Sequence, residues 1–352
     1  MTRLSDLLIE RIKINGPITL ADYMAEALMH PQHGYYATRD PLGGNGDFTT
    51  APEISQMFGE LIGLSLAQTW LDQGKPTPFT LAELGPGRGT LMADILRAAG
   101  QIPGWSDAAQ VHFVETSKTL RAAQKNRVPQ ATWHDDITTL PNQPLFLVAN
   151  EFFDALPIRQ FHRDAAGWRE VQIGVRNDNL TAGLSDAAPI EALDHRLEDT
   201  NAGDIVELCP VLPAIVQNIA TRIAIHGGTA LIIDYGDWRS LGDTLQALKK
   251  HQHYDPFIAP GTADITAHVD FEAIAQNSAP ACYTRLTPQG VFLERLGITP
   301  RAQKLATALQ GPALETHIAA HRRLTHPEEM GSLFKVLGLY PSTAQPPAGL
   351  EA

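Results

Sequence analysis

The pattern of apolar and polar residues changes once along the chain, near residue 79. Before that point apolar side chains recur at helical spacing. The spacing predicts a helix over 4–14, a second from Thr19 to Met29, and a long third from Thr50 through Trp70. Beyond it, short apolar runs alternate with helical patterns. Such alternation predicts an α/β, Rossmann-like fold with a mostly parallel, doubly wound sheet.

The second part of the chain supplies the predicted sheet. Strands are expected at 80–84, 111–114, 145–149, 230–233 and 333–339, and helices at 90–99, 118–125 and 212–224. The predicted domains are a helical segment with a glycine-rich lid loop (1–75), a core (76–157, 204–289 and 330–352), and a substrate-side subdomain made of a hairpin insertion (158–203) and a helical insertion (290–329).

Composition narrows the class of protein. With 27 basic and 39 acidic residues the formal charge of the 352-residue chain is −12, which disfavours binding to nucleic-acid phosphates. The surface would suit a cationic substrate, although ordinary solubility is the simpler explanation. Cys209 and Cys282 are expected to be buried free thiols in a reducing compartment. There is no predicted membrane span or secretory signal, so a cytoplasmic location is predicted.

A glycine-rich loop, LAELGPGRGT at 81–90, joins the first predicted strand to a helix. Gly85, Gly87 and Gly89 would let a ligand reach backbone N–H groups at the helix N-terminus. The loop lacks the lysine of a triphosphate-binding loop. Its G-x-G-x-G spacing departs from the dinucleotide pattern but leaves NAD open.

Glu83 separates the cofactor candidates. Its carboxylate would repel a pyrophosphate by about 1 to 4 kcal/mol but attract the ammonium and sulfonium groups of S-adenosylmethionine. Pro86 also removes a donor that a pyrophosphate would miss. The sequence therefore favours S-adenosylmethionine.

Further acids follow the next strands. Glu115 would accept both ribose hydroxyls, as in either cofactor. Asp135 or Asp136 would take the adenine amino group, or both would lie in a solvated turn; the two alternatives are about equally supported.

The fourth predicted strand ends in a polar pair, Asn150 and Glu151, followed by Asp154. Asn150 would hold a nucleophile or the methionyl end of the cofactor. The two carboxylates match a guanidinium's donors, or alternatively cap the next helix. Asp234 and Tyr235 end the fifth strand and could line the same cleft.

With these residues the chain resembles the MidA family of S-adenosylmethionine-dependent protein-arginine methyltransferases, whose mitochondrial member is complex I assembly factor seven. The blocks that carry the resemblance are GDFTTAPEI at 46–54, FGE at 58–60, ELGPGRGTLM at 83–92, NEFFDALP at 150–157, DYG at 234–236, DITAHVDF at 264–271 and MGSLFKV at 330–336. The first and fourth of these blocks, with 58–60, are specific to the family.

The resemblance implies a methyltransferase core with added helices. It also implies symmetric dimethylation of an arginine in the large complex I subunit near the quinone site, during assembly. The partner would thus be a protein substrate. Nucleic acid is disfavoured by the charge, and no membrane span is predicted.

In the expected reaction a guanidinium nitrogen attacks the sulfonium methyl and S-adenosylhomocysteine leaves. Glu151 and Asp154 would orient the guanidinium, while Asp47 or His268 are further candidates to accept the proton. The loop at 43–50, with Thr49 and Thr50, would form a lid over the cofactor.

Two other functions stay open at this stage, an NAD-dependent oxidoreductase and a non-catalytic assembly chaperone. No metal site is predicted, because His30, His33, His251 and His253 have no further ligands at suitable spacing. The target arginine, the degree of methylation and the oligomeric state are not determined by the sequence.

Overall fold

The computed structural model describes residues 2–38, 50–249 and 252–352. The helices are α1 Arg3–Asn15, α2 Leu20–Met29, α3 Tyr35–Thr38, α4 Ala51–Ile54, α5 Gln56–Asp72, α6 Thr90–Ala99, α7 Trp105–Ala108, α8 Lys118–Arg127, α9 Leu212–His226, α10 Phe271–Gln276, α11 Gln289–Arg295, α12 Ile298–Ala306, α13 Pro312–Thr325 and α14 Met330–Leu333. The strands are β1 Ile18–Thr19, β2 Phe79–Leu84, β3 Ala109–Val114, β4 Thr132–His134, β5 Leu145–Asn150, β6 Arg159–Asp164, β7 Gly167–Arg176, β8 Asn179–Leu184, β9 Ile205–Leu208, β10 Gly228–Asp237, β11 Gln246–Lys249, β12 Gln252–Tyr254, β13 Asp264–Thr266, β14 Val269–Asp270, β15 Cys282–Tyr283, β16 Thr287–Pro288 and β17 Phe334–Tyr340. The predicted lid residues Asp47 and Thr49, and His251, lie outside the described residues.

The chain divides into two compact units. The first comprises the described residues within Met1–Phe48, Asp154–Leu212 and Arg239–His268, and the second those within Thr49–Phe153, Pro213–Trp238 and Val269–Ala352. The sequence predicts that 204–289 belongs to the core as one stretch. The division differs because β11 pairs with β12 and β13 in a small sheet of its own rather than with the central sheet.

The second unit contains the central sheet, in the order β4-β3-β2-β5-β10-β17. The first five strands are parallel, and the closing strand β17 runs antiparallel to β10. Strands β2 and β5 are buried along their whole length, as expected for parallel strands covered on both faces. The sheet agrees with the predicted α/β, Rossmann-like fold.

Helices α5 and α6 pack closely in this unit because two glycines face α6. A Cβ at Gly59 would lie 2.5 Å from the Cβ of Asp94, and one at Gly63 would lie 2.9 Å from the Cα of Ile95. Both distances are too short for a larger residue without movement of the helices.

The predicted long helix from Thr50 is wrong in one respect, since it is broken at Ser55. That residue is extended, with φ −158° and ψ 135°, and its hydroxyl accepts a hydrogen bond from the Met57 N–H at 3.2 Å. A serine side chain that caps a new helix competes with continuation of the preceding one. Thr50 occupies the N-cap position of α4, but its side chain makes no capping bond.

The first unit contains helices α1 to α3 and small antiparallel sheets. The predicted hairpin is observed as β6 and β7, joined at Ala165 and Ala166, and β8 extends it. Thr19 caps α2 as predicted, accepting from the Asp22 N–H at 3.0 Å.

Both cysteines are free, as predicted, but they are half-buried rather than buried. Cys282 lies on the short strand β15, and Cys209 directly follows β9. Among the described residues, no helix is long and apolar enough to cross a membrane.

Candidate active site

Strand register brings three of the predicted cofactor residues to one face of the central sheet. Glu83 on β2 lies opposite Phe113 on β3 and Val148 on β5. Paired residues project to the same face, and so do residues two positions apart along a strand. Glu115 and Asn150 lie two residues beyond Phe113 and Val148 and therefore project to this face as well. We call the residues of one strand that share this face a row, and Glu83, Glu115 and Asn150 end the rows of β2, β3 and β5. The carboxyl ends of these rows form the candidate site.

The earlier positions of the same rows are apolar and belong to the main core of the second unit. They are Phe79, Leu81, Val111, Phe113, Phe146 and Val148. Packing of these side chains fixes the strands that carry the polar row ends.

The glycine loop follows β2 and opens α6. Gly85, Gly87 and Gly89 have φ values of 58°, 51° and 77°, a region that favours glycine. The Gly89 N–H bonds to the Pro86 carbonyl at 2.7 Å. A Cβ at Gly85 would lie 3.0 Å from the ring of Phe152, so the loop passes close to the end of β5.

The Glu83 carboxylate is nearly inaccessible, with 3% of the residue exposed. Burial, opposed by the Met92 N–H and assisted by the negative charge of Glu115, raises the pKa of Glu83 to about 8. Its Oε2 is buried without a hydrogen-bond partner among the described residues. An unpaired buried acceptor of this kind is costly unless a ligand supplies the donor.

Asn150 provides the second unpaired acceptor, after that of Glu83. Its Nδ2 donates to Glu151 Oε1 at 3.0 Å, whereas its Oδ1 is buried with no partner in the part of the chain that the structure describes. Asn150 Oδ1 is thus an acceptor, and Glu83 Oε2 becomes one when its carboxyl group is ionised. Together they fit a cofactor that presents an ammonium group, whose positive charge favours the ionised form of Glu83.

Glu115 is anchored through both carboxylate oxygens. Oε1 accepts from the Ser117 N–H at 2.8 Å and Oε2 from Gln124 Nε2 at 3.1 Å. Burial raises the pKa of Glu115, although these two hydrogen bonds act against the rise. Gln124 is not among the residues predicted from the sequence; it lies four residues after Leu120 and four before Val128. A polar residue at that spacing within an apolar stripe was the available signal.

Asp135 and Asp136 follow β4 and are exposed. Asp135 pairs with Arg121 at 2.6 Å, and the Asp136 carboxylate accepts from the Thr138 N–H at 2.7 Å, capping a short 3₁₀ turn. These contacts correspond to the solvated-turn alternative. An adenine contact from either residue stays a prediction.

Glu151 has a backbone conformation that is unusual for its residue type. Its φ is 53°, which costs on the order of 1 kcal/mol or more in a residue other than glycine. The Glu151 N–H donates to the Ile233 carbonyl at 2.9 Å, and Oε1 also accepts from the Ala51 N–H at 3.1 Å. The carboxylate is therefore held at the end of β5 by a strained backbone and by the first residue of α4.

Asp234 is fully buried, and its carboxylate accepts hydrogen bonds from backbone N–H groups. Its carboxylate accepts from the N–H groups of Phe152 and Phe153, at 3.2 and 3.0 Å, and from that of Tyr235 at 3.0 Å. Asn150 pairs with Ile233 on the neighbouring strand, so these two residues share a face. Asp234, the next residue, therefore projects to the other face of the sheet. Of the two residues predicted to line the cleft, Tyr235 shares the face of Asn150.

Asp154 and His268 belong to the first unit, whereas Glu151 belongs to the second. Asp154 is buried, and its carbonyl accepts from the Ala267 N–H at 3.0 Å. The His268 N–H donates to Thr244 Oγ1 at 2.8 Å. The proposed pairing of Asp154 with Glu151 stays a prediction.

Metal binding has no support in the described ranges, where no group of three or more His, Cys, Asp or Glu side chains is arranged to hold an ion. His30 and His33 stack on each other, with ring centroids 5.0 Å apart.

The sheet order and the unpaired acceptors define the class, a Rossmann-like α/β protein whose site suits a nucleoside cofactor with a cationic group. A family model described as an S-adenosyl-L-methionine-dependent methyltransferase matches residues 61–287. The chain belongs to this family. The match confirms the predicted resemblance. It also identifies the cofactor as S-adenosylmethionine rather than NAD.

Curated relatives match most of the chain. The human "Protein arginine methyltransferase NDUFAF7, mitochondrial" is 38% identical, with 95% of this chain and 82% of the human protein covered. Its Drosophila melanogaster homolog is 35% identical over 94% of this chain and 83% of its own. A crystal structure from Burkholderia thailandensis, bound to S-adenosyl-homocysteine, is 28% identical with a TM-score of 0.85, covering 98% of this chain and 94% of that one.

Proposed function

We propose that this enzyme transfers a methyl group from S-adenosylmethionine to an arginine side chain of a protein substrate. The observation that carries the proposal is Glu151, a carboxylate held in a strained conformation at the carboxyl end of β5. Strain of this kind is kept where the surrounding structure uses it. The relatives are named as protein arginine methyltransferases, which supports arginine as the acceptor.

The bound cofactor supplies an electrophilic methyl group on a positively charged sulfur. Arginine stays protonated near neutral pH, so its nitrogens are poor nucleophiles until a carboxylate orients them. The Glu151 carboxylate has this role in the proposal, with Asp154 as its predicted partner. The nitrogen forms the new bond to carbon as the carbon–sulfur bond breaks, and the nitrogen loses its proton to a nearby base. Positioning of the two reactants supplies most of the rate.

A finer proposal concerns the substrate. Following the resemblance to the MidA family, it is an arginine near the quinone site of the large complex I subunit, converted to symmetric dimethylarginine during assembly. The cytoplasmic location is part of the same proposal. Kinship in sequence supports the substrate, whereas the cytoplasmic location follows from the sequence prediction alone.

The test compares cells that carry the wild type, Glu151→Gln or the matched control Glu294→Gln, whose residue lies on α11. Mass spectrometry of complex I subunits should find one dimethylarginine with the wild type and the control and none with Glu151→Gln. S-adenosylhomocysteine binding by purified Glu151→Gln should persist, which separates loss of chemistry from loss of the cofactor. Unchanged dimethylarginine in Glu151→Gln cells would contradict the role of Glu151. A methyl group found on another residue type would contradict the arginine assignment.

A further inference from the structure

We propose that Gln124 is a positioning residue for the cofactor, which locks the glycine loop and the Glu115 carboxylate into one arrangement. The inference rests on the cofactor of the family and on the predicted ribose contact of Glu115. It does not depend on arginine being the acceptor.

Gln124 lies on α8 with no exposed surface, and its amide is fully used. Nε2 donates to the Gly87 carbonyl at 2.7 Å and to Glu115 Oε2 at 3.1 Å. Oε1 accepts from Trp133 Nε1 at 2.8 Å. Because the indole N–H can only donate, this contact fixes which end of the amide faces the loop. Both amide hydrogens are thereby directed at the cofactor-binding elements.

The contact with Gly87 restrains the part of the loop that has most backbone freedom. Gly87 has φ 51°, and glycines on either side also have positive φ, so the loop has little intrinsic preference for one conformation. In a planar trans peptide the carbonyl and the following N–H point in opposite directions. Holding the Gly87 carbonyl toward Gln124 therefore sets the direction of the Arg88 N–H.

Helix α8 packs against the loop at Gly89. A Cβ at Gly89 would lie 3.7 Å from the Cα of Gln124, an ordinary van der Waals distance. At this range the glutamine side chain reaches Gly87 from a buried position, where water does not compete for the hydrogen bond.

The contact with Glu115 sets the orientation of the predicted ribose acid. With Ser117 holding Oε1 and Gln124 holding Oε2, rotation of the carboxylate about its last bond would break one of the two hydrogen bonds. With the Thr116 N–H as a third donor, the carboxylate still has lone-pair capacity to accept a hydroxyl of the ligand. Gln124 thus acts on the ribose through Glu115.

The experiment measures Kd for S-adenosylhomocysteine and for its 2′-deoxyadenosine analogue. The proteins are the wild type, Gln124→Met and the control Gln289→Met. Gln289 is also fully buried, and it donates to the Leu324 carbonyl at 2.9 Å, between α11 and α13. The comparison of two ligands with two proteins isolates the coupling between Gln124 and the ribose hydroxyl from any general loss of stability.

In the wild type, loss of the 2′-hydroxyl should weaken binding about tenfold. In Gln124→Met, Kd for S-adenosylhomocysteine should rise about 10- to 100-fold, and the ratio between the two ligands should fall toward one. Gln289→Met should keep the wild-type ratio. Trp133→Phe removes the hydrogen bond that fixes the amide, together with some packing against Phe113. It should shift the ratio in the same direction by less, and it replaces Gln124→Met if that variant does not fold.

An unchanged ratio in Gln124→Met, or in Trp133→Phe where that variant is used, would overturn the proposal, whatever the overall affinity. A wild type that binds both ligands equally would overturn it together with the ribose contact of Glu115. Neither result would bear on the methyl acceptor.

Discussion

Glu60 and Glu83 are both buried carboxylates of the second unit, with 4% and 3% of each residue exposed, yet their surroundings differ. Glu60 on α5 accepts from Arg97 at 2.6 Å and from Arg301 at 2.8 and 3.0 Å. Burial would raise the pKa of Glu60, but hydrogen bonds from Arg301 and Arg97 outweigh it and lower that pKa. Glu83 has an unpaired oxygen instead, and burial raises its pKa to about 8.

The difference separates a carboxylate that joins helices from one that is predicted to bind a ligand. At Glu60 the counter-charges belong to the chain itself, so the ion pairs are complete in the folded protein. At Glu83 the described residues provide burial without a counter-charge, which disfavours its ionised form. In the predicted role of Glu83, a cationic cofactor would remove this cost on binding.

The largest expected effect comes from Glu83→Gln. In the unfolded chain Glu83 ionises near its ordinary pKa of 4.5, whereas in the fold it keeps its proton to about pH 8. Wild-type stability should therefore fall between those pH values relative to Glu83→Gln. The fall should reach at most about 5 kcal/mol, because each tenfold change in proton affinity is worth about 1.36 kcal/mol. Urea unfolding of ligand-free protein from pH 5 to 9 measures it.

The same variant should bind S-adenosylmethionine about 10- to 100-fold more weakly at pH 8.5, since the cation loses its anionic partner. Parallel pH curves of stability for the two proteins would show that Glu83 is not the source of the cost.

A smaller effect with the opposite sign of stability change is expected for Glu60→Gln. Loss of the carboxylate should lower the free energy of unfolding by about 1 to 3 kcal/mol. The value is moderate because the Arg97 and Arg301 side chains are 47% and 34% exposed and water can hydrate them. Chemical denaturation at pH 7 measures the loss, while the Kd for S-adenosylhomocysteine should match the wild type. Weakened cofactor binding would contradict the separation of the two carboxylates.

The smallest effect is expected for Arg301→Lys. The ammonium keeps the charge but replaces two hydrogen bonds to Glu60 by one, which should cost about 0.5 to 1 kcal/mol. A shift in the denaturant midpoint, with unchanged slope, is the measurement. A loss of stability as large as that of Glu60→Gln would mean that the paired hydrogen bonds of the guanidinium group, rather than its charge, hold α12 to α5.

The parallel sheet and the loop could be predicted because their signals are local. Runs such as 145–149 are apolar throughout, and the glycines at Gly85, Gly87 and Gly89 mark positions where φ is positive. Each signal depends on a few neighbouring residues, and tertiary packing agrees with it.

The arrangement of the site could not be predicted from local signals. That Glu83, Glu115 and Asn150 share a face follows from the register between strands, and a shift by one residue would reverse it. The role of Gln124 depends on contacts from three separate segments. Ser55 breaks a helix whose apolar spacing continues on both sides. The break occurs because the serine side chain caps a new helix, and the spacing of apolar residues does not reveal such a cap.

The rows of same-face side chains along β2, β3 and β5 have a consequence for how such an enzyme can evolve. In each row the first two residues, such as Phe79 and Leu81 on β2, hold the core together, and only the last, Glu83, faces the candidate site. A mutation at a row end can alter which ligand is preferred while the packing beneath it stays the same. The ends of three rows can therefore diverge between descendants of one ancestor, with the scaffold inherited intact.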